Sequence, residues 1–474
     1  MGQLDKIDHV VVLMLENRSF DCMLGALYQK SAAFDGLAGN ETNPDPAGVR
    51  IPVWSNTGTD EAAMRIPDPD PGELWSDINT QLFGTPIVPT PSTPTMDGFV
   101  KNYLTQKDGP TAKNIMHYFT PKQVPVLSAL ATQFAVCDRW FASAPCQTWP
   151  NRWFVHAATA DGHENNEPVH LLDVETVYNR FELADMEDWK IYFHDLAQAH
   201  TLLNLFLLGD HFHFYRQFQA DCQNGQLPAY SFIEPQYYAD LAHPENDQHP
   251  PSVVTLGEQL IADVYNCIRS SKLWTKTLLI ITYDEHGGCY DHVPPPPAAQ
   301  PEPPKQNQVF KFDRYGVRVP AVIVSPYIKS GTILRPSGAV PYDHTSIIAT
   351  LRKRFPALGG PLTARDAVAP DLESVLTLAT PDNRGPPRLK ALPYAPDPPT
   401  AAVAHMRPLN GMQTALVGLA ANFPSTPNAN LQAHLAMIRA TQVNQPPPTE
   451  TIDVRTASAF VKQRVGNFFS SQGT

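Results

Sequence analysis

The sequence lacks any stretch approaching the roughly 20 consecutive apolar residues of a membrane-spanning helix. It also lacks an excess of positive charge. Lys and Arg number 35 against 47 Asp and Glu, a net charge of −12, so no global basic field draws nucleic acid or anionic lipid. Its six cysteines, Cys22, Cys137, Cys146, Cys222, Cys267 and Cys289, form no CxxC pair, which favours free buried thiols over a zinc site or a disulfide framework. No internal repeat is present. Glycine is scarce beside proline, 26 against 48, so many loops should be rigid. The opening Met1-Gly2-Gln3-Leu4-Asp5-Lys6 leads straight into an apolar run and leaves no room for a signal peptide. The expectation is a chain that is cytoplasmic, exported without a leader, or stripped of one.

What is present begins with that run, His9-Val10-Val11-Val12-Leu13-Met14-Leu15, which ends in Glu16-Asn17. An unbroken apolar run reads as a strand buried on both faces, as in a parallel sheet flanked by helices. A second run, Leu278 to Tyr283, ends the same way in Asp284-Glu285-His286-Gly287-Gly288. Further strands are expected near Phe134–Val136, at Trp189–Phe193, at Tyr230–Ile233 and at Val319–Val324. Helices are expected after Thr120-Pro121, from Thr148 to Ala158, over Val253–Ile268 and from His344 to Phe355. Strand and helix alternate, so the core should be an α/β fold with a mainly parallel sheet. Ligands bind such sheets at the carboxyl ends of the strands, where the two acidic turns stand.

Residues 1–380 are expected to form the catalytic domain. Two insertions, 40–95 and the proline-rich 294–312, read as loops that wall a pocket. Residues 381–408 read as a Pro-rich linker and 409–474 as a mixed helical tail. Asp284 and Glu285 can share a cation only if the strand has already given way to a loop, since neighbouring strand side chains face opposite ways; locally, a solvated turn plus a capping acid is the alternative reading. Thr148 is a poor nucleophile unless a metal or base takes its proton. At a helix N-terminus it suits a phosphate, although a plain N-cap is the commoner reading. The residues taken singly reach only a metal-dependent hydrolase.

Together, six segments in order resemble the bacterial phosphoesterase family, which contains phospholipases C, plant non-specific phospholipases C and certain acid phosphatases. They are Glu16-Asn17-Arg18-Ser19-Phe20-Asp21, Thr148-Trp149-Pro150-Asn151-Arg152, Asp284-Glu285-His286-Gly287-Gly288, Tyr290-Asp291-His292-Val293-Pro294, Gly316-Val317-Arg318-Val319-Pro320 running to Ser325-Pro326, and His344-Thr345-Ser346. The resemblance implies an alkaline-phosphatase-like three-layer α/β/α sandwich. It assigns a divalent metal (Ca, Mg, Mn, Zn or Fe) to Glu16, Asn17, Thr148, Asp284 and Glu285, with Thr148 also the nucleophile. It implies that His249 protonates the leaving alkoxide or positions phosphate, that His292 is a weaker catalytic candidate, and that Arg152, His286, Glu73 and His344 border the substrate. Arg152 either neutralises phosphate or braces its helix.

Two departures stand out. Cys146-Gln147 precede Thr148 where relatives have Gly-Pro, and Glu73 falls where several have His. The expected activity is phospholipase C-type cleavage of glycerophospholipids through a phosphothreonine, with transient contact at a membrane surface and no nucleic-acid partner. The alternatives are an acid phosphatase acting on soluble phosphomonoesters and a non-catalytic binding module on the same fold. Trp140, Trp149 and Trp153 are candidates to receive a choline cation.

Overall fold

The computed structural model describes residues 2–89, 93–107, 109–166, 169–186, 188–239, 244–394, 407–441 and 453–472. The apolar run at the start forms the strand His9–Leu15, and all but its first residue are buried. It lies inside an eight-stranded sheet in the order Thr332–Leu334, Ala135–Cys137, Ala321–Val324, Thr277–Tyr283, His9–Leu15, Tyr230–Ile233, Trp189–Phe193 and Phe212–Phe214. Ala321–Val324 runs antiparallel to both its neighbours, while the other pairings are parallel. The mainly parallel α/β sheet expected from the sequence is therefore present, with one reversed strand inside it.

Helices cover both faces. Trp189 and Tyr192 lie three residues apart on one strand and so point to opposite faces. Trp189 meets Tyr178 of the helix Val177–Leu183 at 4.5 Å, and Tyr192 meets Phe218 of the helix Tyr215–Asn224 at 5.3 Å. Val254–Ser270 packs between Tyr215–Asn224 and Pro125–Gln133, whereas Thr148–Ala157 packs between Val177–Leu183 and Thr345–Arg354. The three layers enclose one large apolar core.

Residues 40–95, expected as a surface loop, contribute more than a wall. Ile78 and Leu82 of the helix Trp75–Phe83, together with Phe99, Val100 and Tyr103 of the helix Phe99–Tyr103, build a second small apolar cluster. Helices this short carry little readable periodicity, which hid them among the prolines. In the C-terminal segment, Gly411–Ala421, Leu431–Thr441 and Val454–Ser470 are helical, and Met412, Leu416, Val461 and Phe468 join the main core. Residues 395–406 of the expected linker lie outside the described residues. All six cysteines are unpaired thiols. Among the described residues no helix is long and apolar enough to cross a membrane.

Candidate active site

Register brings the two acidic turns together. Leu15 pairs with Tyr283 across parallel strands, so Glu16-Asn17 and Asp284-Glu285 leave the sheet at one level and one edge. The turns interlock: the Asn17 backbone N–H donates to Asp284 Oδ1 at 3.0 Å, and the Asp284 N–H donates to the Leu15 carbonyl at 3.2 Å. Asn17 takes φ 47°, a left-handed conformation that Asn adopts more readily than most residues. Gly287 also has positive φ, and a Cβ there would strike the Asn17 carbonyl. This close approach makes glycine the fitting residue. The glycines let the chain leave strand geometry at once, so Asp284 and Glu285 need not face opposite ways.

Thr148 opens the helix Thr148–Ala157, with Gln147 as its N-cap. The Asn151 side chain fastens the approach, donating to the Ala144 and Cys146 carbonyls at 3.2 and 2.8 Å and accepting from Ala144 N–H at 3.0 Å. Thr148 Oγ1 then stands 3.3 Å from Glu16 Oε2 and 3.3 Å from Asn17 Oδ1. A hydroxyl has one proton and can donate to only one of these oxygens. One turn further along the same face, Arg152 donates to Glu16 Oε1 from Nε and Nη2 at 2.9 and 2.5 Å and to the Met14 carbonyl at 3.2 Å. Gln198 adds a donor to the same Glu16 oxygen at 2.8 Å. Arg152 Nε and Nη2 thus brace Glu16, while Nη1 is buried without a hydrogen-bond partner, so a part in neutralising phosphate stays open.

These residues fit a hard cation. Asp284 Oδ2 is buried without a hydrogen-bond partner, 4.0 Å from Arg152 Nε. Glu285 Oε1 accepts from Asn17 Nδ2 at 3.2 Å and Oε2 from Gly287 N–H at 2.9 Å. Burial, opposed by Arg152, pushes the Glu16 and Asp284 carboxyls above their ordinary range, and burial with the neighbouring Glu73 and Asp284 charges pushes Glu285 well above it. Buried hard oxygens of this kind are the donor set that Ca²⁺, Mg²⁺ or Mn²⁺ prefers.

Beside them lies a second cluster. Glu73 is buried; its Oε1 accepts from Asn17 Nδ2 at 2.9 Å, and its Oε2 faces His249 Nε2 at 3.4 Å without hydrogen-bond geometry. Asp70 Oδ1 approaches His249 Nδ1 at 3.7 Å. His249 Nδ1 bonds the Pro250 carbonyl at 2.6 Å and its backbone N–H donates to Asp247 Oδ1 at 3.0 Å. Burial alone would hold Glu73 up, but the imidazole and the Asn17 amide bring it below the usual range. The same burial opposes charge on His249, yet Glu73, Asp70 and Asp247 together raise it well above an ordinary histidine.

The remaining candidates have other partners. His344 accepts from Trp140 Nε1 at 3.3 Å and donates from Nε2 to the Asp284 carbonyl at 2.6 Å, so it braces the acidic turn. His286 pairs with Gln81 at 2.7 Å and lies 3.2 Å from Glu285 Oε2. His292 bonds Asp21 Oδ2 at 2.6 Å and Asp35 Oδ1 at 3.2 Å, in a network where Arg318 joins Asp21 and Asp291 at 2.9 and 3.0 Å. That network ties the Asp21 and Asp291 segments to each other rather than to Thr148. Trp140, Trp149 and Trp153 are at most 1% exposed; they are core residues, closed to a choline cation. Sequence reasoning missed Asp70, Gln198 and Asp247 as site residues. Asp70 and Asp247 stand three and two residues before the singled-out Glu73 and His249, in irregular segments, whereas Gln198 opens the short 3-10 helix Gln198–Thr201, far in sequence from any singled-out position.

Residues 7–357 match the model of the phosphoesterase family. Non-specific phospholipase C3 of Arabidopsis thaliana is 39% identical over 408 residues, spanning 82% of this chain and 77% of that protein. Phospholipase C A of Mycobacterium tuberculosis is 29% identical over 452 residues, 83% of each chain. A solved protein of the alkaline phosphatase superfamily from Vibrio parahaemolyticus shares 12% identity over 52% of this chain and just under two thirds, 64%, of its own, with a TM-score of 0.32. The chain belongs to the phosphoesterase family and is a phosphoester hydrolase.

Proposed function

We propose that this hydrolase cleaves glycerophospholipids in the manner of a phospholipase C, with Thr148 as nucleophile. The observation that carries the reading is the position of Thr148 Oγ1, 3.3 Å from both Glu16 Oε2 and Asn17 Oδ1 at a helix N-terminus. Glu16, Asn17, Thr148, Asp284 and Glu285 would hold a divalent cation, which supplies Lewis acidity to the phosphoryl group and lowers the Thr148 pKa. Thr148 Oγ1 loses its proton toward Glu16 and attacks phosphorus. The new O–P bond replaces the bond to glycerol, whose oxygen takes up a proton and departs as diacylglycerol. Water then cleaves the phosphothreonine and releases the phosphorylated head group. Arg152 and Gln198 keep Glu16 aligned through both steps, and His344 holds the Asp284 backbone.

A lipid substrate is favoured by the rim. Leu74, beside Glu73, is 45% exposed, and Val309 is 74% exposed; their neighbours Trp75 and Phe310 meet at 6.1 Å. Two exposed aliphatic side chains, one on each loop, offer an apolar edge to a membrane surface. The test compares phosphatidylcholine vesicles, p-nitrophenyl-phosphorylcholine and p-nitrophenyl phosphate. Release of diacylglycerol and turnover of the diester are expected. Turnover of the monoester alone would make the chain a phosphatase, and no turnover of any of the three would contradict the proposal.

A further inference from the structure

We infer that Asp70, Glu73 and His249 form a second divalent-cation site beside the one proposed at Thr148. The inference rests on the hydrolase reading and adds to it. Each of the three residues offers one ligand atom, and these atoms lie within 4.8 Å of one another. That spacing lets one nitrogen and two carboxylate oxygens reach a single ion.

The histidine is set up as a ligand. Its Nδ1 lies 2.6 Å from the Pro250 carbonyl, which can only accept, and 3.4 Å from Asn410 Nδ2, which can only donate; the shorter contact places the hydrogen on Nδ1. In the neutral ring the lone pair is then on Nε2. That atom is fully buried, lacks a hydrogen-bond partner, and points at Glu73 Oε2. A backbone carbonyl on one ring nitrogen and an open second nitrogen is the usual arrangement of a metal-bound histidine. Asp70 Oδ1 is likewise without a hydrogen-bond partner.

Charge argues the same way. Six carboxylates gather here: Glu16, Asp70, Glu73, Asp247, Asp284 and Glu285. The guanidinium groups nearest them are Arg152, committed to Glu16, and Arg18, whose nitrogens donate to the carbonyls of Gln248, Ile66 and Ser252. Each of these carboxyls that ionises to act as a ligand needs positive charge beside it, and each bound divalent ion offsets two of them. The sites are contiguous, because Asn17 Nδ2 bridges Glu73 Oε1 at 2.9 Å and Glu285 Oε1 at 3.2 Å. In two-metal phosphoesterases one ion serves the attacking oxygen and the other the leaving oxygen. His249 would then act at the leaving oxygen through its ion, not as a proton donor.

The test uses the full chain stripped of metal by chelation, then dialysed against Mn²⁺, with bound metal counted and its EPR spectrum recorded. The wild type is expected to bind two equivalents with a spin-coupled spectrum. Glu73→Gln and Asp70→Asn should each bind one, with an uncoupled six-line spectrum and unchanged circular dichroism. Asp70 is part-exposed, so its variant should fold even if Glu73→Gln does not. One equivalent or none in the wild type, or two in both folded variants, overturns the inference. One equivalent with normal turnover would leave the Thr148 reading standing. Two equivalents without turnover of any phosphoester would sink that reading and keep the site.

Discussion

Arg152 spends two of its nitrogens on a single oxygen of Glu16, Nε at 2.9 Å and Nη2 at 2.5 Å. Both side chains are buried, so removing the cation strands a charge in the interior. Arg152→Ala should lower unfolding stability by about 3–5 kcal/mol, measured by chemical denaturation, and Arg152→Lys should recover only part of it because the fork is lost. An unchanged midpoint in Arg152→Ala would mean that the guanidinium does not brace Glu16.

The His292 network gives a pH dependence. Burial disfavours its charged form, but its hydrogen bonds to the Asp21 and Asp35 carboxylates outweigh burial and raise it to about 9. A group whose folded value is raised contributes stability that is full below its unfolded value of about 6.5 and lost as pH rises through the folded one. Thermal stability should therefore decline between about pH 6.5 and 9, and His292→Gln should flatten that decline. A His292→Gln profile parallel to the wild type over this window would show that the Asp21–His292 pair is not the cause.

The rim makes a separable prediction. Leu74→Asp combined with Val309→Asp should reduce turnover of phosphatidylcholine vesicles by about tenfold, the loss of roughly 1.4 kcal/mol of apolar contact. Turnover of p-nitrophenyl-phosphorylcholine should hardly change. Equal loss on both substrates would place these side chains in the pocket instead of at a membrane.

Much of this was legible because the site hangs on strand ends. The runs into Glu16-Asn17 and Asp284-Glu285 are continuous and apolar, and parallel pairing of Leu15 with Tyr283 brings them level. Val254–Ser270 and Thr345–Arg354 showed their helical spacing plainly. What could not be read were side chains recruited by tertiary geometry. Gln198 reaches Glu16 across 182 residues, and Asp70 approaches His249 from a short irregular segment beside the singled-out Glu73. The reversal of Ala321–Val324 was equally hidden, because a fully buried strand reads the same in either direction.

The C-terminal helices should be integral to the core. Phe468 is fully buried against His200, Phe206 and Phe423, at 4.9, 5.1 and 4.8 Å between ring centroids. Phe468→Ala should destabilise the whole chain by about 3–5 kcal/mol, seen as one shifted unfolding transition. A separate early transition with the main one unmoved would make the segment an independent unit.

The most direct test of the account is the turnover of a folded Thr148→Ala protein on p-nitrophenyl-phosphorylcholine. The substitution removes the attacking oxygen while leaving Glu16, Asn17, Asp284 and Glu285 in place. Loss of a covalent nucleophile commonly lowers turnover by several orders of magnitude. A fall of that size, with Thr148→Ser retaining measurable turnover, is the predicted result. Near-normal turnover in Thr148→Ala would contradict the phosphothreonine mechanism and make water the nucleophile.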